Sequence, residues 1–375
     1  MAGFRGGLDA ARGVLAEHFG HPRFRVHQLK VLGPLLSGRD VLAVLPTGAG
    51  KSLCYQVPAL LADGLSLVIS PLISLMQDQV GALRRRGIAA AYINSHLGAE
   101  QRRAVEHAVI AGQVSLLYCA PERLSSLVRL LGAAGVHVAL LAIDEAHCIV
   151  EWGHDFRPVY RGLGAFRAAL GDPPTIALTG SATPKARHDI LQVLRLRSAE
   201  VVVTSFDRPN LRFGVERVRG DRERFSRVKA LAREVVGAAI VYAPTRRITE
   251  LVTRALLRAG VRAAPYHAGL SEAIRARVLK AFLTDERRVI VATSAFGMGI
   301  DKPDVRRVLH WGPPPTLEAY YQEAGRAGRD GKASDCIVLW RPQDLSWGNI
   351  SPAMQQYVES RTNHRALILE YFGEP

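Results

Sequence analysis

No stretch of this chain approaches the roughly 18 consecutive apolar residues that a membrane-spanning helix needs. The run 136–143 is among the longest and reads as a buried strand. The first residues carry Arg5, Asp9 and Arg12 without an apolar core, so no secretory leader is expected. Cysteine is scarce, with four residues at 54, 119, 148 and 336. They form no Cys-x-x-Cys pair and no Cys/His cluster, which excludes a disulfide framework and leaves no zinc site. All four sit in apolar surroundings, as buried free thiols do. A cytoplasmic location is therefore expected, nucleoid-associated in a bacterium. Acidic residues are the minority: 34 Asp and Glu against 49 Lys and Arg give a net charge of +15. That balance points to an acidic partner, nucleic acid first and an anionic membrane surface second. Arg-rich codon usage alone would give the same balance.

What is present is an ordinary globular mixture, 48% hydrophobic and 22% charged, which excludes wholesale disorder. The 375 residues suffice for two or three domains. Short apolar runs alternate with longer amphipathic ones. Strands are predicted at 40–45, 66–70, 89–93, 114–119, 137–143 and 175–179, with helices at 51–61, 74–85, 99–110 and 122–131. This is the βαβ pattern of a parallel sheet covered on both faces. The pattern pauses over 201–210, where Ser205-Phe206-Asp207-Arg208-Pro209-Asn210 reads as a linker. It then restarts, with strands at 211–215, 238–242, 261–266, 288–292, 306–310 and 333–339. Helices follow at 222–235, 246–259, 271–283 and 316–324, and one more is predicted over 352–372. The fold class is α/β, with two units of similar size facing each other across a cleft, where ligands tend to bind. The expected division is 1–204, 205–345 and a helical tail over 346–375.

Leu45-Pro46-Thr47-Gly48-Ala49-Gly50-Lys51-Ser52 stands between an apolar strand and a helix, the context a phosphate loop requires. Gly48 and Gly50 let backbone N–H groups approach phosphates without an intervening Cβ. Lys51 would reach the β- and γ-phosphates and Ser52 would hold Mg²⁺. The helix N-terminus adds a dipole that favours an anion. The common pattern has Gly where this chain has Leu45. Downstream, Ile143-Asp144-Glu145-Ala146-His147 closes another apolar strand. Asp144 can bind Mg²⁺ through water, and Glu145 can position and polarise an attacking water. Alone, such a pair would equally be two surface acids.

Together these runs resemble the superfamily 2 helicases, as does Gln322-Glu323-Ala324-Gly325-Arg326-Ala327-Gly328-Arg329-Asp330-Gly331, which is similar to their arginine-finger motif. Further segments narrow the resemblance to RecQ helicases: Ser70-Pro71-Leu72-Ile73-Ser74-Leu75-Met76 followed by Asp78-Gln79, Ala120-Pro121-Glu122-Arg123-Leu124, and Trp152-Gly153-His154-Asp155-Phe156-Arg157. So do Ser205 to Asn210, Tyr266-His267-Ala268-Gly269-Leu270 and Ala295-Phe296-Gly297-Met298-Gly299-Ile300. The resemblance extends over about residues 15–345.

It implies two tandem RecA-like domains with ATP and Mg²⁺ in the cleft between them. It also implies 3′-to-5′ movement on single-stranded DNA and ATP-driven unwinding, in DNA repair and recombination. By resemblance, Gln28 reads the adenine edge with support from Arg25, and His21 stands where the family usually has Tyr. Thr47, Gly48, Ala49, Gly50, Lys51 and Ser52 hold the phosphates, with Ser52 and Asp144 on the metal. Lys51, Asp144, Glu145, His147, Arg326 and Arg329 are the catalytic candidates. Arg329 is favoured as the γ-phosphate contact, and a basic loop on phosphate backbone is the alternative for both arginines. Asp301 would bridge DNA contacts and nucleotide. Ser74, Gln79, Glu122, Arg123, Trp152, His154, Phe156, Arg157 and His267 are the DNA candidates, at single strands and duplex junctions.

The aromatic run from Trp152 to Tyr160 could stack on unpaired bases without sequence preference, or could be a small core cluster. Thr179-Gly180-Ser181-Ala182-Thr183 resembles the motif that links hydrolysis to strand separation, although its hydroxyls could be ordinary turn formers. The paired arginines at 84–86, 102–103, 246–247, 287–288 and 306–307 read as solvated faces, or jointly as a backbone track. Residues 365–374 resemble the start of a zinc-binding region. Asn363 stands where its first cysteine is expected, so no zinc is expected in this chain. The chain reads as the helicase core without the winged-helix modules. Two other readings stay open: an RNA-directed helicase of the wider superfamily, and a DNA-binding or annealing module without productive unwinding.

Overall fold

The computed structural model describes residues 3–46, 48–151, 160, 162–297, 302–346 and 349–374. The chain divides into two compact units, Met1–Ser205 and Phe206–Pro375. In the first unit the strands are β1 (Val41–Val44), β2 (Leu65–Ile69), β3 (Ala90–Ile93), β4 (Leu116–Cys119), β5 (Val138–Ile143), β6 (Thr175–Thr179) and β7 (Glu200–Val203). They form one sheet in the order β3-β4-β2-β5-β6-β1-β7, parallel at every pairing. All residues of β1, β2, β4, β5 and β6 are buried, whichever way they point. This is why these strands read as unbroken apolar runs: helices cover both faces, so no side of the sheet needs polar residues. One face packs Val41, Ala43, Leu45, Val68, Leu116, Tyr118, Leu140 and Ile176 into a single core.

The second unit holds β8 (Leu211–Arg217), β9 (Ala238–Tyr242), β10 (Ala263–Tyr266), β11 (Val289–Ala292), β12 (Val305–His310) and β13 (Ser334–Trp340). Their order is β10-β11-β9-β12-β13-β8, again parallel throughout. Both units are thus RecA-like α/β layers.

Two elements differ from expectation. Strand β7 overlaps the start of the stretch read as a pause. It has four residues, pairs only with β1, and leaves Val201 and Val203 42% and 37% exposed. A short edge strand with no helix after it lacks the alternation that marks the others. The tail is two helices, Pro352–Glu359 and His364–Tyr371, where one was predicted. Ser360 turns extended, and Asn363 caps the second helix by accepting the Arg365 N–H at 3.0 Å. The tail also packs within the second unit: Phe372 stacks on Phe206 at 4.4 Å between ring centroids.

Candidate active site

Strand β1 delivers the phosphate loop. Leu45 continues the strand, donating its N–H to Thr179 O at 3.0 Å, with its side chain fully buried. A leucine is tolerated there because that position belongs to the core. Gly48 and Gly50 take φ values of 83° and 77°, a left-handed region that glycine enters without a Cβ penalty. A Cβ on Gly50 would also come within 2.5 Å of Gln28 Nε2. The loop then enters the helix Leu53–Leu61. The N–H groups of Gly48, Gly50, Lys51 and Ser52 make no hydrogen bond to any described residue. These four donors at a helix start, interrupted by the Ala49 N–H, which donates to Pro46 O at 3.1 Å, make an anion cradle. Lys51 Nζ rests 3.3 Å from Leu45 O. Thr47 lies outside the described residues.

The segment before the helix Val26–Leu36 supports this loop. Arg25 donates to Gly48 O at 2.7 Å, His27 Nε2 lies 2.9 Å from Ala49 O, and Gln28 Nε2 donates to Ala49 O at 3.3 Å and Gly50 O at 3.2 Å. Gln28 Oε1 accepts the Arg25 N–H at 2.8 Å. Gln28, expected to read an adenine edge by paired hydrogen bonds, bonds the phosphate loop in this structure. Gln28 is buried, and both ends of its amide are taken up by its own loop. Arg25 and His21 remain exposed. His27 was not singled out from the sequence. Its position one residue before Gln28 is the only signal it carries there.

The acidic pair follows β5. The Asp144 N–H donates to Ile69 O at 2.8 Å, and its carboxylate receives the Glu145 N–H at 3.1 Å. Burial and then the neighbouring Glu145 charge push the Asp144 carboxyl up to about 7, against the pull of Lys51. Glu145 has φ 50°, uncommon outside glycine and a mark of backbone held by its surroundings. The holding bond is Ala146 N–H to Leu178 O, 2.8 Å. His147 is buried, with Nδ1 2.9 Å from Thr179 Oγ1 and 3.3 Å from Glu145 Oε2. The Thr179 hydroxyl donates to Ser181 O at 3.0 Å. Its own hydrogen is thereby used, so it accepts from His147, which places the imidazole proton on Nδ1. Thr179 is thus both a turn former and the partner of His147.

Because β5, β6 and β1 are neighbours, Asp144, Thr179 and the phosphate loop come together at one carboxyl edge of the sheet. Open α/β sheets bind their ligands there. Ser52 and Asp144 supply hard oxygen donors suited to Mg²⁺. No group of three or more His, Cys, Asp or Glu that could hold a metal ion exists among the described residues. The set fits an ion that completes its shell with phosphate oxygens and water.

Of the nucleic-acid candidates in the first unit, Ser74 and Glu122 are exposed, and Arg123 and Gln79 are half-buried. Trp152, His154, Phe156 and Arg157 lie outside the described residues, and so does Asp301. Tyr160, from the same aromatic stretch, is fully buried.

In the second unit Arg326 is buried, and it and Arg329 both act electrostatically on the Tyr242 phenol, which itself donates to Phe296 O at 2.8 Å. The loop carrying the two arginines is held by residues of the 205–210 linker segment. Arg208 donates to Ala327 O at 3.0 Å and Gly328 O at 3.2 Å, and Asn210 donates to Gly328 O at 2.8 Å and Lys332 O at 3.0 Å. His267 is the DNA candidate of this unit. It is buried, with Nε2 3.0 Å from Glu250 Oε1, and so packs inside the unit.

Residues 25–190 match the DEAD/DEAH box helicase family, and residues 223–331 match the helicase conserved C-terminal domain. The ATP-dependent DNA helicase RecQ of Haemophilus influenzae is 42% identical over 97% of this chain and 61% of its own length. The probable ATP-dependent DNA helicase RecS of Bacillus subtilis is 44% identical over 88% of this chain and 67% of its own. The chain belongs to the RecQ family of helicases. This RecQ-family chain thus spans about three fifths of the Haemophilus relative it matches. The structure of Mycobacterium smegmatis helicase Lhr bound to single-stranded DNA and AMP-PNP superposes with a TM-score of 0.69. At 23% identity over 93% of this chain and 49% of that one, it shows a shared fold. Among the described residues no helix is long and apolar enough to cross a membrane.

Proposed function

We propose that this chain is an ATP-dependent DNA helicase of RecQ type, coupling ATP hydrolysis to 3′-to-5′ movement on single-stranded DNA and to duplex unwinding in repair or recombination. The observation that carries the reading is the carboxyl edge of the first sheet. An anion cradle with unspent N–H donors, a lysine, a buried carboxylate and a strained Glu145 braced through His147 and Thr179 form the parts list of phosphoryl transfer to water. In this reading Ser52 and Asp144 hold Mg²⁺ on the nucleotide, Lys51 neutralises the β- and γ-phosphates, and Glu145 orients the attacking water. Arg326 and Arg329 supply positive charge to the transition state, worth about 10³–10⁵ in rate where such fingers act. Ser74, Gln79, Glu122, Arg123 and the 152–157 loop are assigned to DNA, in keeping with the net charge of +15.

Breaking one stacked base pair costs about 1.4 kcal/mol on average, well within what one ATP supplies. A fluorescent fork assay tests the proposal. Strands should separate with ATP on a 3′-tailed fork and not on a 5′-tailed one, and Lys51→Ala should be inactive. ATP-independent separation, or a preference for the 5′ tail, would overturn it.

A further inference from the structure

The first unit contains a buried polar chain that no catalytic role above uses. Gln56 sits on the helix that opens from the phosphate loop, and its N–H donates to Ser52 O at 2.9 Å. Its side chain is buried in a position where an apolar residue would be the default. Gln56 Nε2 donates to Gln79 Oε1 at 2.7 Å and to the Tyr118 hydroxyl at 3.0 Å. Tyr118 in turn donates to the Tyr55 hydroxyl at 3.3 Å, with both phenols buried and the rings edge to face at 6.3 Å. Tyr55 stands on the same helix, and its N–H donates at 3.3 Å to the carbonyl oxygen of Ser52, the residue assigned to the metal.

The direction of these bonds is set from the inside outward. Tyr118 spends its hydrogen on Tyr55, so it accepts from Gln56, and Gln56 must turn Nε2 toward it. The same Nε2 then meets Gln79, which must turn its oxygen inward. The Gln79 amide hydrogens are left facing away from the core, on a half-buried residue of the helix Ile73–Arg85. A donor pair held in that pose suits a phosphate or base acceptor of a nucleic-acid strand. A polar chain inside a core is costly unless every member is satisfied, and a satisfied one allows only one arrangement.

We propose that Gln56 and Tyr118 are positioning residues that tie the orientation of Gln79, on the DNA-facing helix, to the phosphate loop at Ser52, so that DNA contact and nucleotide state are coupled through this chain. The inference rests on the helicase reading and names the route by which DNA would stimulate hydrolysis. In this reading both residues act through their neighbours and contact neither nucleotide nor DNA themselves.

The test uses Tyr118→Phe and Gln56→Met in the full chain, each close in shape to the residue it replaces. Melting temperature, ATP hydrolysis without DNA and KM for ATP should stay near the parent values. Maximal stimulation by single-stranded DNA should fall about 3- to 10-fold. A purely structural role would instead lower melting temperature and move basal and stimulated rates together. That outcome, or stimulation equal to the parent in both variants, overturns the proposal. A parent chain that no DNA stimulates overturns the helicase reading itself, and this inference with it.

Discussion

Thr179 is one hydroxyl serving two strand ends. It accepts from His147, which also faces Glu145, and it donates to Ser181 O. Thr179→Val keeps the shape and removes these bonds, together with the one the Ser181 N–H donates to the hydroxyl at 3.3 Å. The imidazole then loses its orienting partner while Glu145 keeps its backbone. The expected result is a fall in kcat of about 10-fold, the kinetic equivalent of one hydrogen bond, with KM for ATP unchanged. Steady-state kinetics checks this, and a KM effect without a kcat effect would contradict it. Burial of Asp144 belongs to the same scale. A carboxyl held up to about 7 by desolvation is an acid without an adequate counter-ion, and a bound divalent cation would supply one.

At the scale of elements, the loop 325–328 is positioned by Arg208 and Asn210 from outside its own helix. Arg208→Ala removes donors to three carbonyls of that loop, at Gly325, Ala327 and Gly328. Arg326 and Arg329 would then be held less firmly. DNA-stimulated ATP hydrolysis should fall about 10- to 100-fold, by analogy with misplaced catalytic groups, while binding of single-stranded DNA changes little. Fluorescence anisotropy alongside ATPase assays separates the two. How far sequence reached is clearest among these elements. The phosphate loop was legible because glycines at Gly48 and Gly50, a preceding apolar strand and a following helix are all local features. Strand β7 was not, because four edge residues with only Val202 buried are too few to carry a periodicity. The clamp formed by Arg208 and Asn210 was hidden because Pro209 and Asn210 announce a chain break whether or not neighbouring side chains bind a loop more than a hundred residues away. Gln56 and Tyr118 were likewise hidden, since only tertiary structure shows that a glutamine is buried and what it meets. The bonds from Gln28 to Ala49 O and Gly50 O were hidden for the same reason.

At the scale of the whole molecule, charge and fold act together. Two parallel α/β units, a carboxyl edge furnished for a nucleotide, and a net charge of +15 favour a partner with a dense row of phosphates. Single-stranded DNA binding should weaken steeply with salt. If about four to six phosphates are neutralised, log K should fall against log salt with a slope near −3 to −4. A slope near zero in an anisotropy titration would mean that the positive charge is not used on the DNA backbone.

The most direct test of the account is ATP hydrolysis by the purified chain with Mg²⁺, measured without nucleic acid, with single-stranded DNA and with single-stranded RNA, in the parent and in Lys51→Ala and Glu145→Gln. The account predicts strong stimulation by DNA, weaker stimulation by RNA, and loss of turnover in both variants with DNA binding retained. Normal turnover in either variant, or RNA as the stronger activator, would contradict it.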